Sequence, residues 1–204
     1  THICLLCMFW KTPGTLRVGA KGSDSQQEAV GRQLARMRSV GSLGAGDLSQ
    51  LVQLPCGKEL QDWLLQHLTD FYHDLRVLYA TLGDDCSEIS CPMMTAGPKY
   101  EYKWADGKMK RPVRCSAPKY VEHLWAWIGA ALSDATIFPT RGGHYGATAQ
   151  ATIGVAFRRM FRVYAHIYLH HNEAMSRLGA EPHLNTCFRH FILFVLEFDL
   201  IDQA

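Results

Sequence analysis

Cys86-Ser-Glu-Ile-Ser-Cys91 sets two thiols close together, and His166-Ile-Tyr-Leu-His170-His171 offers a second histidine at either of two spacings. Two thiolates and two imidazoles make a closed tetrahedral set for a soft divalent ion such as zinc, with no position left open for a substrate. The spacing inside each half is ordinary for such sites. The halves themselves are remote in sequence, so an ion held by both would fasten two distant elements rather than fold a short finger. Spacing alone leaves buried thiols beside surface histidines as an equal alternative. The second histidine is in conflict: at about 100° per residue on an ideal helix, His170 sits about 40° round from His166 and His171 about 140°. Ideal geometry favours His170, whereas the side of the helix bearing Met160, Tyr164 and Ile167 favours His171.

Other chemistries find less support. The chain has no His-Glu-x-x-His, no Gly-rich phosphate loop and no Gly-x-Ser-x-Gly elbow, so an enzyme is not expected. A zinc hydrolase would need an open metal position, which four protein ligands would close. His67, His73, His123, His144, His183 and His190 read as surface or satisfied core residues. Seven cysteines, an odd and scattered set, are no disulfide framework, and reduced thiols or metal ligands in the cytosol are the expected use. The apolar runs Ile3 to Trp10 and Phe191 to Leu196 fall far short of the ~20 residues of a membrane span. Ile3 to Trp10 would be a signal-peptide core only if a basic start preceded it, and the opening on Thr1 reads as a fragment.

The net charge of +2 conceals a split. From Lys58 to Glu88, seven acids (Glu59, Asp62, Asp70, Asp74, Asp84, Asp85, Glu88) face Lys58 and Arg76. From Lys99 to Lys119, seven bases face Glu101 and Asp106. Such a chain can meet partners of both signs, which suits an adaptor better than a plain nucleic-acid binder.

The elements that must position these groups are mainly helical. Ser25 and Glu28 form a capping box before Val30, Leu34 and Met37, and Gly41, Gly44 and Gly46 end that helix. Past Pro55, Leu60, Leu64, Leu68, Phe71, Leu75, Leu78 and Leu82 recur in steps of three or four, one long amphipathic helix with the acids opposite. Cys91 to Pro98 reads as loop. Tyr100 to Trp104 alternates with period two before an Asp106-Gly107 turn, which predicts a small hairpin. Ser116 caps a helix with Pro118 in its first turn and a buried stripe through Tyr120, Val121, Leu124, Trp125, Ile128 and Leu132. Asp134 to Thr148 is loop. One helix is expected from Ala149 to Leu178, closed by Gly179, and a last one from Leu184 to Phe198, apolar on most faces and so expected at the centre of the bundle. The fold class is mainly α: a helical bundle with a small β-hairpin and a structural zinc site.

Several stretches resemble the Mob/phocein family in order and spacing, closest to its kinase-activator branch. They are Cys86 to Met94, Ala96 to Gly107, Cys115 to Tyr120, Phe161 to Tyr168, His183 to Thr186 and Leu200 to Asp202, with Leu54-Pro55 and Asp62 to Leu64. Residues 22–204 would be the family-like domain and 1–21 an irregular segment unlike it; the 140–148 loop is also atypical, and members usually continue past Asp202. The resemblance implies a zinc-containing, non-enzymatic adaptor that binds and activates nuclear-Dbf2-related and large-tumour-suppressor Ser/Thr kinases. It would act downstream of phosphorylated sterile-20-like kinases in Hippo and mitotic-exit signalling, in the cytoplasm and also the nucleus. It places one structural Zn2+ on Cys86, Cys91, His166 and His171, against ideal helix geometry.

The resemblance also places a phosphopeptide pocket on Arg158, Arg159 and Arg162, and an acidic kinase-binding surface near Glu59, Asp62 and Asp70. Lys58 stands where the family often has an acid. On a helix the three arginines share a sector of about 100°, and guanidinium groups so close repel one another unless an anion such as phosphate joins them. As exposed charges, Arg159 and Arg162 are expected to contribute little to folding, and His170→Ala is expected to leave zinc in place. The alternative function is a zinc-stabilised RNA or single-stranded DNA binder that stacks bases on Tyr100, Tyr102 and Trp104 of the basic hairpin; it requires those rings to be exposed.

Overall fold

The computed structural model describes residues 15–17, 48–107, 109–139 and 145–201. The helix expected near Ser25 to Met37 and the segment Ile3 to Trp10 lie outside the described residues. The described elements are strand β1 (Thr15–Arg17), helices α1 (Leu48–Leu51) and α2 (Leu60–Ala80), strands β2 (Thr95–Ala96) and β3 (Tyr100–Tyr102), then helices α3 (Ala117–Ser133), α4 (Ala147–His170), α5 (Asn172–Arg177) and α6 (Glu181–Glu197). The chain is thus mostly helical with a small hairpin. No described helix is long and apolar enough to cross a membrane.

Helix α2 follows from its stripe: Leu64, Leu68, Phe71, Leu75 and Leu78 are all buried, and Leu82 just beyond the helix is buried too. Burial of each such side chain contributes about 1.5–3 kcal/mol. Helix α3 begins as its sequence dictates. Ser116 is extended at the N-cap, its hydroxyl accepts the Lys119 N–H at 3.3 Å, and Pro118 occupies the first turn, where no backbone donor is needed.

The centre of the bundle is α4, not the last helix. Half of α4 is buried, including Phe157, Met160, Phe161, Tyr164 and Ile167, and it packs against α2, α3, α5 and β2. Helix α6 buries one stripe, Leu184, Phe188, Phe191, Phe194 and Val195, and leaves Leu196 48% exposed. Its apolar residues exceed the surface its neighbours cover, because burial depends on flanking elements and not on hydrophobicity alone. The two helices meet with α2 in an aromatic cluster in which Phe157 lies 5.9 Å from Phe71 and 5.5 Å from Phe191, centroid to centroid.

The hairpin also differs from expectation. Strand β3 pairs antiparallel with β2 upstream, Thr95 opposite Glu101 and Ala96 opposite Tyr100, across a turn containing Gly97. The backbone of β1 pairs with the other edge of β3. Beyond the Asp106-Gly107 turn, only a bridge between Trp104 and Val113 forms among the described residues. Gly97 has φ +65, a left-handed conformation that costs a side-chain-bearing residue energy and glycine nothing.

Candidate metal centre and the charged clusters around it

Cys86 follows a short 3₁₀ turn (Gly83–Asp85) at the end of α2, and Cys91 closes the next loop. Ser87 and Ser90 brace that loop reciprocally: the Ser87 N–H donates to Ser90 Oγ at 2.9 Å and the Ser90 N–H to Ser87 Oγ at 3.1 Å. The backbone of the two cysteines is thereby fixed before any metal is considered.

His166 lies inside α4, and His171 lies just past its end. The expected continuous helix from Ala149 to Leu178 is broken here. His171 leaves helical geometry (φ −128, ψ 14), its N–H still donates to Ile167 O at 2.8 Å, and α5 resumes after it. At this break the His171 ring lies beside that of His166, centroids 5.0 Å apart. Cys86, Cys91, His166 and His171 are all buried and their ligand atoms lie within 4.8 Å of one another. His171 Nε2 is 3.2 Å from His166 Nε2 and 3.3 Å from Cys91 Sγ, and His166 Nε2 is 3.6 Å from Cys86 Sγ. Tetrahedral zinc, with bonds of about 2.3 Å to sulfur and about 2.0–2.1 Å to nitrogen, sets ligand separations of about 3.3 Å for N to N and about 3.5 Å for N to S. The donor set therefore fits such an ion.

The electrostatics agree with that fit. Burial pushes the Cys86 thiol up to about 12 and holds His166 down to about 3, so both are neutral when no metal is bound. An ion entering here would meet neutral lone pairs and displace thiol protons. Two groups touch the ligands from outside. The Tyr79 hydroxyl donates to Cys86 Sγ at 3.2 Å, and His166 Nδ1 donates to Thr95 O at 2.8 Å, which turns the His166 Nε2 lone pair toward the cluster. His170 stays out of the ligand set. Its Nε2 receives the Gly97 N–H at 3.2 Å and lies 2.9 Å from Thr95 Oγ1.

The arginines of α4 sit one to two turns earlier. Arg162 is buried, its Nη1 donates to Tyr120 OH at 3.0 Å, and its guanidinium lies 4.9 Å from the Tyr102 ring. Arg159 is held between the rings of Trp104 and Trp127, at 4.3 and 4.4 Å, and its Nη2 donates to Ala105 O. Its Nη1 is buried without a partner. Arg158 is half-exposed. Arg159 and Arg162 are therefore not exposed charges, and their removal would cost the fold as well as any anion site. The sequence contains the aromatic partners but cannot show that remote elements deliver them to this helix.

Tyr102 and Trp104 are 3% and 2% exposed, so they form no platform for stacking nucleic-acid bases. Glu101 of the basic stretch is buried and grips Arg114 through both carboxylate oxygens, at 2.6 and 2.9 Å. The acids of α2 remain on the outside. Glu59, Asp62 and Asp70 are exposed, Glu59 makes no side-chain cap hydrogen bond, and Asp62 accepts from Tyr145 OH at 2.8 Å. Lys58 lies over the Trp63 ring at 4.9 Å and donates to Gln66.

Comparison with known proteins adds an independent line. The Mob1/phocein family model matches residues 41–204. "MOB kinase activator-like 1A" of Arabidopsis thaliana is 49% identical over 164 residues, covering 79% of this chain and 76% of that protein. "MOB kinase activator-like 1A" of Medicago sativa subsp. falcata is 47% identical over 165 residues, 80% of this chain and 77% of that protein. "MOB kinase activator-like 1 homolog A" of Dictyostelium discoideum is 44% identical over 164 residues, 79% and 77%.

Proposed function

The chain belongs to the Mob1/phocein family, and from that membership we propose that it is a non-enzymatic adaptor that binds and activates protein kinases. The partners proposed are kinases of the nuclear-Dbf2-related and large-tumour-suppressor type, met in the cytoplasm and the nucleus within Hippo or mitotic-exit signalling. The observation that carries this reading is the match, over four-fifths of the chain, to relatives named as kinase activators. The exposed row Glu59, Asp62 and Asp70 supports docking of a basic kinase segment. Arg158 and the unpartnered Nη1 of Arg159 support recognition of phosphorylated segments of sterile-20-like kinases, since a phosphate offers acceptor oxygens matched to guanidinium donors. The metal would be one structural Zn2+ on Cys86, Cys91, His166 and His171, fastening the loop after α2 to α4.

Pull-down with the N-terminal region of a nuclear-Dbf2-related kinase tests the docking reading. Charge-steered binding should weaken as salt rises and be lost when Asp62 and Asp70 are both changed to Lys. Binding indifferent both to salt and to that charge reversal would refute it.

A further inference from the structure

His170 lies against the metal-binding set without belonging to it, and its contacts run toward one of the ligands. Its Nε2 accepts the N–H of Gly97 at 3.2 Å, which requires the lone pair on that nitrogen. Thr95 Oγ1, 2.9 Å away, then donates to the same atom. Both donors belong to the β2 turn, and between them lies Ala96, which is buried. Thr95 turns its own carbonyl to His166 Nδ1 at 2.8 Å. The path from His170 to a metal ligand is therefore two hydrogen bonds and one residue long. Gly97, in its left-handed conformation, is buried beside Leu169, whose Cδ1 would lie 3.6 Å from a Cβ there. Its N–H would lose this acceptor if His170 were removed.

Resting on the metal reading above, we propose that His170 is a positioning residue of the metal centre. It pins the Thr95 to Gly97 turn to α4, so that the Thr95 carbonyl holds the Nδ1 proton of His166 and aims the His166 Nε2 lone pair at the ion. Removing it leaves the four ligands present but one of them loosely aimed. The rest of the turn keeps independent anchors, the Met94 N–H on Cys115 O at 3.0 Å and the Tyr102 N–H on Met94 O at 2.8 Å, so the loss is graded and not a collapse. Outer-shell partners of metal-bound histidines are typically worth about 10–100-fold in affinity.

The test is the Zn2+ dissociation constant of the full chain, measured by competition with a chelating chromophore, for the parent and four variants. The parent should bind one equivalent and His171→Ala none. His170→Ala should still bind one equivalent, with Kd raised about 10–100-fold. His170→Gln should recover most of the loss, because its side-chain oxygen can accept the Gly97 N–H. Thr95→Val, which removes one of the two hydrogen bonds, should raise Kd by a smaller factor. A folded His170→Ala within twofold of the parent overturns the proposal and leaves the metal reading standing. If His170→Ala fails to fold, by loss of helicity, a Thr95→Val protein within twofold of the parent overturns it. Metal lost in His170→Ala but kept in His171→Ala would make His170 the ligand and overturn it too. A parent that takes up no Zn2+ overturns both readings, a result distinguishable from the others.

Discussion

At the C-terminal end of α4 four buried side chains, Cys86, Cys91, His166 and His171, bring their ligand atoms together, whereas one to two turns earlier Arg159 and Arg162 bury positive charge among tyrosine and tryptophan rings. The first cluster could hold a metal ion, which would complete it. The second is largely completed by the chain itself, through Tyr120 OH, the Tyr102 ring, the two tryptophans and Ala105 O. The difference separates fold from function at each end of the helix. At the candidate metal end one ion would be both the functional and the stabilising group. At the arginine end most of the guanidinium surface of Arg159 and Arg162 is committed to structure, while Arg158 lies half-exposed and one nitrogen of Arg159 has no hydrogen-bond partner.

The sharpest way to break that comparison is to remove a ligand. Cys91→Ser should cost several kcal/mol, since the binding free energy of a structural metal is folding free energy. In a chain of this size about 1 kcal/mol corresponds to a shift of about 2–4 °C, so melting should fall by about 10 °C or more in a thermal scan. Arg162→Ala comes next. It deletes a buried hydrogen bond and a cation over the Tyr102 ring and leaves a cavity, so a loss of about 2–3 kcal/mol is expected in chemical denaturation, with zinc content unchanged. A loss as small as that of a surface arginine would show that this cluster is not structural. Arg158→Ala should be the opposite case. Stability should change by less than about 1 kcal/mol while affinity for a phosphothreonine peptide falls about tenfold in a fluorescence titration.

A smaller effect is expected from acid at two histidines that lie away from both clusters. His67 stacks on Phe194 at 4.3 Å, and the Nε2 of His190 is buried without a partner. Burial holds both below the ordinary histidine range, partly offset for His190 by Asp74 and Asp70 and for His67 by its bond to Trp63 O. The unfolded chain, whose histidines titrate near 6.5, therefore takes up protons first as pH falls. Stability should be complete above about pH 7 and decline below about 6.5, and His190→Gln should flatten the decline of melting temperature between pH 7.5 and 5.5. An equally steep decline in that variant would place the sensitivity elsewhere.

The parts of this architecture that depend on local sequence were legible in it. Leucines at steps of three and four make α2, and Ser116 with Pro118 starts α3, because periodicity and caps act within a few residues. The candidate metal set was half legible. The residue types and their spacing point to a soft ion, yet the choice between His170 and His171 turns on one backbone torsion at the end of α4, which periodicity assumes away. The sequence makes Arg159 and Arg162 look like exposed charges because their partners, Tyr102, Trp104, Tyr120 and Trp127, come from a strand, a bridge and another helix. Helix α6 misled in the other direction: its apolar residues outnumber its buried ones, and the sequence does not say how many neighbours a helix has.

The central claim is that an ion completes the bundle by joining Cys86, Cys91, His166 and His171. It is tested most directly by measuring the metal content of the purified chain by mass spectrometry, paired with its melting temperature before and after exhaustive chelation. One equivalent of zinc per chain is expected, with a melting temperature that falls by about 10 °C or more when it is removed. A metal-free chain that melts at the same temperature as the untreated protein would contradict it.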